Sequence, residues 1–380
     1  MKIQKIQAYA VSIPLETTYW VSNEIIDRCS QIIVQVLTDE GVTGVATLHG
    51  RSMPTVLQVV EQLSGYLAGM DALAHEAIWA KVFGLTTISP DAARASGAPS
   101  YLGADKRPAL LAAMAGIDIA LWDIKGKAVS LPVWRLLGGD RTSIRAYVTG
   151  GYYQVDRDLF DIGPEMAGYV SQGFNGVKMK VGGLSLPADV ARVKAVRDAV
   201  GPSTMLMVDA NCAYTLEQAI EAIRAFEPYD VYWFEEPLHW YDSVRAMGKL
   251  AQYTHVALAS GESEQHSWAC RDLIDLGAIR YMEFDATRSG GVTEWLRVAA
   301  YAQLHGVSMA THHDPHIHGH LAAAVPNGAC VEVFLDEKRD PLWKMLFRER
   351  AQLRDGQLHL SDLPGFGFDI DWDVVKRFHI

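Results

Sequence analysis

From about residue 143 the chain alternates short β-rich runs with amphipathic helical stretches, and nothing else in it constrains the fold as much. The β-rich runs are IRAYVTG, GVKMKVG, MLMVDAN, VYWFEEP, VALASGE, IRYMEFD, VSMATHH and ACVEVF. Helical stretches such as LPADVARVKAVRDAVG, TLEQAIEAIRAFEP and GVTEWLRVAAYAQLHG lie between them. Repetition of strand and helix makes a parallel sheet. Eight such strands predict a closed barrel in place of an open doubly wound sheet. No GxGxxG opens a helix, which argues against a dinucleotide fold. Upstream, KIQKIQAYAVSIPL and SQIIVQVLTDEGVTGVATL read as strands, with a hairpin turn at Asp39-Glu40-Gly41. Helical patterns follow at about 53–70, 75–86 and 107–129, so the first 125 or so residues form an α+β segment.

The stretch VKMKVG, residues 177–182, poses a problem for this reading. Side chains alternate along a strand, so Lys178 and Lys180 share one face and Val177, Met179 and Val181 the other. On an edge strand the lysines would be solvated. In a barrel they point into the interior, and the other strand ends supply a reason. After the lysines come Asp209 and Asn211, then Glu235 and Glu236, then Glu262, Asp285, His312 and Glu332, each closing its own run. Barrel strands carry their chemistry at their C-terminal ends, so these groups converge on one mouth.

Asp209, Glu235 and Glu262 follow one another at spacings of 26 and 27 residues. Three converging carboxylates repel unless a cation joins them, and an all-oxygen set favours Mg²⁺. Lys180 and His312 would face each other across the mouth, a base on each side of a substrate. Asp285 beside His312 would fix its tautomer and raise its basicity. Lys178 is placed to bind a substrate carboxylate, and its charge, together with that of a divalent cation, is expected to lower the pKa of Lys180.

Composition narrows the partners. The 380 residues carry a net charge of −11 with no basic stripe, which excludes nucleic acid as the main partner. The most apolar helical stretch, ALLAAMAGIDIALWDIKG, is interrupted by Asp118 and Asp123, so it reads as a core helix and no membrane is expected. Four widely spaced cysteines and an N-terminus without an apolar signal core point to a cytoplasmic protein with buried thiols.

Taken together, KxK at Lys178 to Lys180, DAN at Asp209 to Asn211, EEP at Glu235 to Pro237, SGE at Ser260 to Glu262 and the Asp285/His312 pair resemble the enolase superfamily, mandelate racemase-like subgroup. The resemblance extends through GIDIALWDIKGKAVSLPVWRLLGG (116–139) and the closing LPGFGFD (363–369). It implies an α/β fold, a modified (β/α)7β TIM-type barrel with an N-terminal α+β capping domain. The expected divisions are 1–125 for the capping domain, 126–355 for the barrel and 356–380 for a segment returning to the cap. It also implies Mg²⁺ on Asp209, Glu235 and Glu262, and abstraction of the proton α to a carboxylate to give an enediolate. Lys180 and His312, backed by Asp285, are then the acid/base pair. Glu332, protonated, would hydrogen-bond the substrate carboxylate. A homo-oligomer is expected by analogy alone.

Two outcomes share this enediolate: dehydration to a 2-keto acid, or racemisation or epimerisation. The run HHDPHIHGH after the seventh strand is unusually polar, with His313 and His316 as candidate substrate contacts. Asn211 and the N-terminal residues Trp20, His49 and Arg51 are further candidates. A polar mouth suits a hydroxylated small-molecule carboxylate, so the favoured reading is dehydration of an acid sugar, an aldonate or aldarate. A histidine-rich zinc or iron hydrolase using His312, His313, His316 and His318 is a rival, but it leaves the acids and lysines unused. A non-catalytic carboxylate-binding barrel is a second rival. His318 and His320 are expected to be structural.

Overall fold

The computed structural model describes residues 1–99, 103–155 and 157–380. Its first layer is an antiparallel sheet in which β1 (Ile3–Trp20) pairs with β2 (Ile25–Thr38), and β2 with β3 (Thr43–His49). The β2–β3 turn contains Asp39, Glu40 and Gly41, and Gly41 takes a φ of +81° that suits a residue without Cβ. Helices Met53–Leu67 and Gly103–Ala128 cover one face of the sheet, burying Ile32, Val34, Leu48, Val59 and Ile117. The long helix lies so close that a Cβ on Gly44 would fall 2.0 Å from the Ala120 carbonyl oxygen. The two acids interrupting that apolar helix are both buried and both bridge to other parts of the chain. Asp118 accepts from Thr293 N and Oγ1 on a barrel helix, and Asp123 accepts from Val45 N and Phe366 N. Residue 125, where the capping domain was expected to end, lies inside this helix.

The eight predicted barrel strands all form. They are β4 (Ser143–Gly150), β6 (Gly176–Lys180), β7 (Met205–Asp209), β8 (Val231–Glu235), β9 (Ala257–Ser260), β10 (Tyr281–Met282), β11 (Ser308–Thr311) and β12 (Gly328–Val333). The intervening β5 (Tyr153–Gln154) instead joins the end of β1. Barrel neighbours pair in parallel, and β12 closes the ring onto β4. One helix separates each successive pair of barrel strands. The pleat sorts side chains into two compartments. Val177, Met179 and Val181 join the core under the helices, whereas Tyr147, Met207, Trp233, Ala259, Ala310 and Cys330 fill the barrel interior. Each large apolar side chain buried this way contributes roughly 1.5–3 kcal/mol.

The C-terminal region splits. The hairpin formed by Gln352–Arg354 and Gln357–His359 pairs with the start of β4 and so extends the barrel sheet. Helix Trp372–Phe378 packs against β1, where Val11 bridges to His379. Among the described residues, no helix is long and apolar enough to cross a membrane. All four cysteines are free and buried.

Candidate active site

Strand register assembles the site. Lys180 lies opposite Asp209 across β6 and β7, and Asp209 lies opposite Glu235 across β7 and β8. Glu262 follows β9 by two residues. Asp209, Glu235 and Glu262 each offer an oxygen, and these oxygens all lie within 4.8 Å of one another. Among the described residues, no other group of three or more His, Cys, Asp or Glu meets that spacing. The histidine-rich metal site is therefore not assembled. An all-carboxylate, fully buried donor set of this kind fits a hard divalent cation.

Both lysines are inside. Lys178 is 1% exposed and Lys180 6%, which answers the question raised by VKMKVG: the pair lines the barrel interior. Lys178 Nζ pairs with Glu235 and, at 2.9 Å, with Glu332 Oε1. Lys180 Nζ pairs with Asp209. Lys178 by itself does not bring the Lys180 pKa down. Burial disfavours its ammonium and Lys178 adds to that, but Asp209, with Tyr152 and Glu235, together outweigh both and hold the group above its ordinary value. The charge of Lys178 is largely absorbed by Glu235 and Glu332. Burial pushes Glu235 up to about 8 in spite of Lys178.

Across the mouth, His312 Nδ1 sits 2.7 Å from Asp285 Oδ2 and His312 Nε2 sits 3.2 Å from Glu262 Oε2. Burial lowers the His312 pKa, but Glu262 and Asp285 together raise it to about 9. Asp285 is itself held by Thr287 N and Thr287 Oγ1, each donating to Oδ1 at 2.7 Å. Glu332 departs from expectation. Its Oε1 accepts from Thr149 Oγ1 at 2.5 Å as well as from Lys178, and its Oε2 accepts from His313 N at 2.8 Å. Burial favours the acid form, yet Lys178, with His312, His313 and Lys180, together override it and keep Glu332 well below the usual carboxylate range. In this arrangement Glu332 is an acceptor, not the protonated donor that the resemblance implies.

Lys180, Glu262, His312 and Glu332 open onto one cavity of about 270 Å³ between barrel mouth and cap. Four of the candidate substrate contacts, His49, Arg51, Asn211 and His313, also line it. His49 and His313 meet edge to face with ring centroids 4.9 Å apart, and burial pushes both below the ordinary histidine range. Trp20 and His316 do not line it. Trp20 stacks on Tyr153 in a separate groove. His316 points the other way, bonded to Thr47 Oγ1 at 2.7 Å and packed against Phe347 and Phe368. His318 and His320 are buried on helix Pro315–Ala324, where His318 Nδ1 donates to the His313 carbonyl and His320 Nδ1 accepts from Trp134 N.

Sequence reasoning passed over three groups. Arg339 reaches the cavity from the segment after β12, paired with Asp340 at 2.7 Å. Glu283 is buried beside Glu235 with neither oxygen hydrogen-bonded, and burial, with Glu235 adding to it, pushes its carboxyl well above the usual range. Its signal was present in YMEFD, where Glu283 shares a face with Asp285. Asp314 is buried behind His312, with no sequence signal beyond its place in a polar loop.

The comparisons agree with this geometry. Residues 5–138 match the mandelate racemase / muconate lactonizing enzyme N-terminal domain, and residues 161–374 match the enolase C-terminal domain-like family. The chain is 30% identical to arabinonate dehydratase of Saccharolobus solfataricus, over 91% of this chain and 90% of that protein. It is 30% identical to D-galactarolactone cycloisomerase of Agrobacterium fabrum, over 100% and 99%. A mandelate racemase/muconate lactonizing enzyme from a marine actinobacterium, solved in complex with magnesium, superposes with a TM-score of 0.86 at 34% identity, covering 100% of this chain and 99% of that one. The chain belongs to the enolase superfamily, in its mandelate racemase-like subgroup.

Proposed function

We propose that this protein removes the proton α to the carboxylate of an acid sugar, an aldonate or aldarate, and completes a dehydration to the 2-keto-3-deoxy acid. The observation that carries the reading is that Lys180, His312 and Glu262 line one cavity, with Asp209 and Glu235 gathered beside Glu262. Their strands, β6 and β11, stand three apart one way round the ring and five the other, so a bound substrate meets a base on each face. Mg²⁺ on Asp209, Glu235 and Glu262 would supply the Lewis acid that draws charge from the substrate carboxylate.

The chain's own residues supply the rest. Lys178 offers an ammonium to a carboxylate oxygen; Glu235 and Glu332 hold that ammonium in place, and Thr149 donates to Glu332. Lys180 or His312, according to the α-configuration, takes the α-proton as the C–H bond breaks. The opposite group gives a proton to the 3-hydroxyl as its C–O bond breaks and water leaves. The enol that remains becomes the 2-keto acid. A positioned base contributes about 10²–10⁴-fold, whereas enzymes in general lower barriers by about 8–23 kcal/mol. The larger share therefore rests on charge stabilisation around the substrate carboxylate. His49, His313, Arg51 and Arg339 give the mouth the polarity that a hydroxylated chain needs.

A screen of mono- and diacid sugars with Mg²⁺, read for 2-keto acid, tests this. Keto acid from at least one sugar supports it. Inversion at the α-carbon without keto acid would replace dehydration with epimerisation and leave the proton abstraction in place.

A further inference from the structure

Asp314 sits at the N-cap position of helix Pro315–Ala324, at a φ of +39°, yet its side chain makes no bond to that helix. A buried carboxyl that declines the usual capping role is held for something else. Its Oδ2 lies 2.9 Å from Thr287 Oγ1, and Thr287 Oγ1 lies 2.7 Å from Asp285 Oδ1. Its Oδ1 faces Gln31 Nε2 at 3.3 Å and Thr47 Oγ1 at 3.5 Å, both on the capping sheet.

Hydrogen counting fixes the proton. A threonine hydroxyl has one hydrogen and here meets two carboxyl groups. If both were anionic, one oxygen pair would meet without a proton between them. Asp285 is the anion, because it accepts from Thr287 N and from His312 Nδ1. The remaining proton therefore belongs to Asp314, and burial, which raises its carboxyl to about 7, points the same way. Around it, β10 is followed by Asp285, its own loop brings His312 and His313, its helix brings His316, and the cap presents neutral Gln31 and Thr47 in contact, with Arg28, His49 and Arg51 lining the same cavity.

We propose that Asp314 is a neutral carboxylic acid that positions His312: it donates to Thr287 Oγ1, which donates to Asp285 Oδ1, whose other oxygen holds His312 Nδ1. The same residue anchors the line to Gln31 and Thr47, so the capping sheet helps to orient the imidazole at the barrel mouth. Asp314 borders the same cavity as His312, and the role assigned to it is positioning, exerted through Thr287 and Asp285. The inference rests on the acid/base reading of His312.

Asparagine mimics a neutral acid here, since its amide can donate to Thr287 and its oxygen can accept from Gln31 and Thr47. Asp314→Asn should keep kcat within about twofold and leave the basic limb of its pH profile unmoved. Asp314→Ala and Thr287→Val should lower kcat about 10–100-fold with KM little changed, as loss of an outer hydrogen-bond partner does. A second readout needs no turnover. In the Mg²⁺-loaded protein, the low-field imidazole N–H signal of His312, assigned by its loss in His312→Asn, should persist in Asp314→Asn and broaden or vanish in Thr287→Val. If Asp314→Asn were as impaired as Asp314→Ala, or if Thr287→Val left the signal intact, the proposal would fail. A normal pattern of signals with no turnover of any acid sugar would instead condemn the reading of function and support the hydrogen-bond line.

Discussion

Replacing Lys180 by methionine should expose how the barrel mouth balances its charges. Lys180 Nζ is paired with Asp209, and the two side chains are 8% and 0% exposed. Removing one partner of a buried pair strands the other charge and costs about 3–5 kcal/mol. Without metal, Lys180→Met should therefore unfold at lower urea by an amount equivalent to that figure. Mg²⁺ changes the comparison, because a cation on Asp209 takes over the role of the ammonium. A ligand present at 100 times its Kd stabilises by about 2.7 kcal/mol. The variant should gain more than the parent, whose Lys180 must first give up Asp209. At saturating Mg²⁺ the gap between the two proteins should shrink by about 1.4 kcal/mol for each tenfold by which the variant binds Mg²⁺ more tightly. Urea unfolding midpoints in EDTA and in Mg²⁺, compared at matched slopes, measure both gaps. The same gap under both conditions would refute the reasoning, because it would mean that lysine and metal do not compete for Asp209.

Three further outcomes follow from the geometry. Glu262→Gln removes one of the three converging carboxylates and should weaken Mg²⁺ binding at least about tenfold by calorimetry, equivalent to about 1.4 kcal/mol; unchanged affinity would remove Glu262 from the ligand set. His312 has a folded pKa of about 9 against about 6.5 unfolded, so its stabilisation is complete below pH 6.5 and is lost as pH rises through 9. In metal-free protein this loss should be on the order of 3–4 kcal/mol, and His312→Asn should flatten it; a parent profile that is already flat would contradict the Asp285–His312–Glu262 line. Gly365 has a φ of +77°, and a Cβ there would fall 2.0 Å from Asp123 Oδ1. Gly365→Ala should cost about 2 kcal/mol or more and lower the melting temperature, while an unchanged melting curve would show that the C-terminal segment yields without loss.

The barrel was legible because every strand after the first ends in an ionisable residue after an apolar run, and even two-residue β10 announced itself through YMEFD. The acids and lysines were legible for the same reason: alternation fixes which face they share, and a closed ring sends that face inward. The charge state of Glu332 was not, since it depends on a contact with Lys178 from a strand more than 150 residues earlier. His316 misled because nothing in HHDPHIHGH reveals that Phe347 and Phe368 return to cover it. Trp20 misled in the same way: β1 runs past the mouth, and β5 draws its last residues into the cap sheet. Asp314 was invisible because its partners Gln31, Thr47 and Thr287 come from three separate elements. Local pattern thus located the chemistry, while distant packing decided which loop residues join it and in what protonation state.

The most direct trial of the central claim is proton exchange at carbon. Acid sugars of both α-configurations, incubated with the protein and Mg²⁺ in deuterated water, should lose their α-proton signal by NMR. Lys180→Met should abolish the exchange for one configuration, His312→Asn for the other, and the double variant for both. An α-proton that survives in every sugar with the parent protein, or that still exchanges with the double variant, would contradict the account.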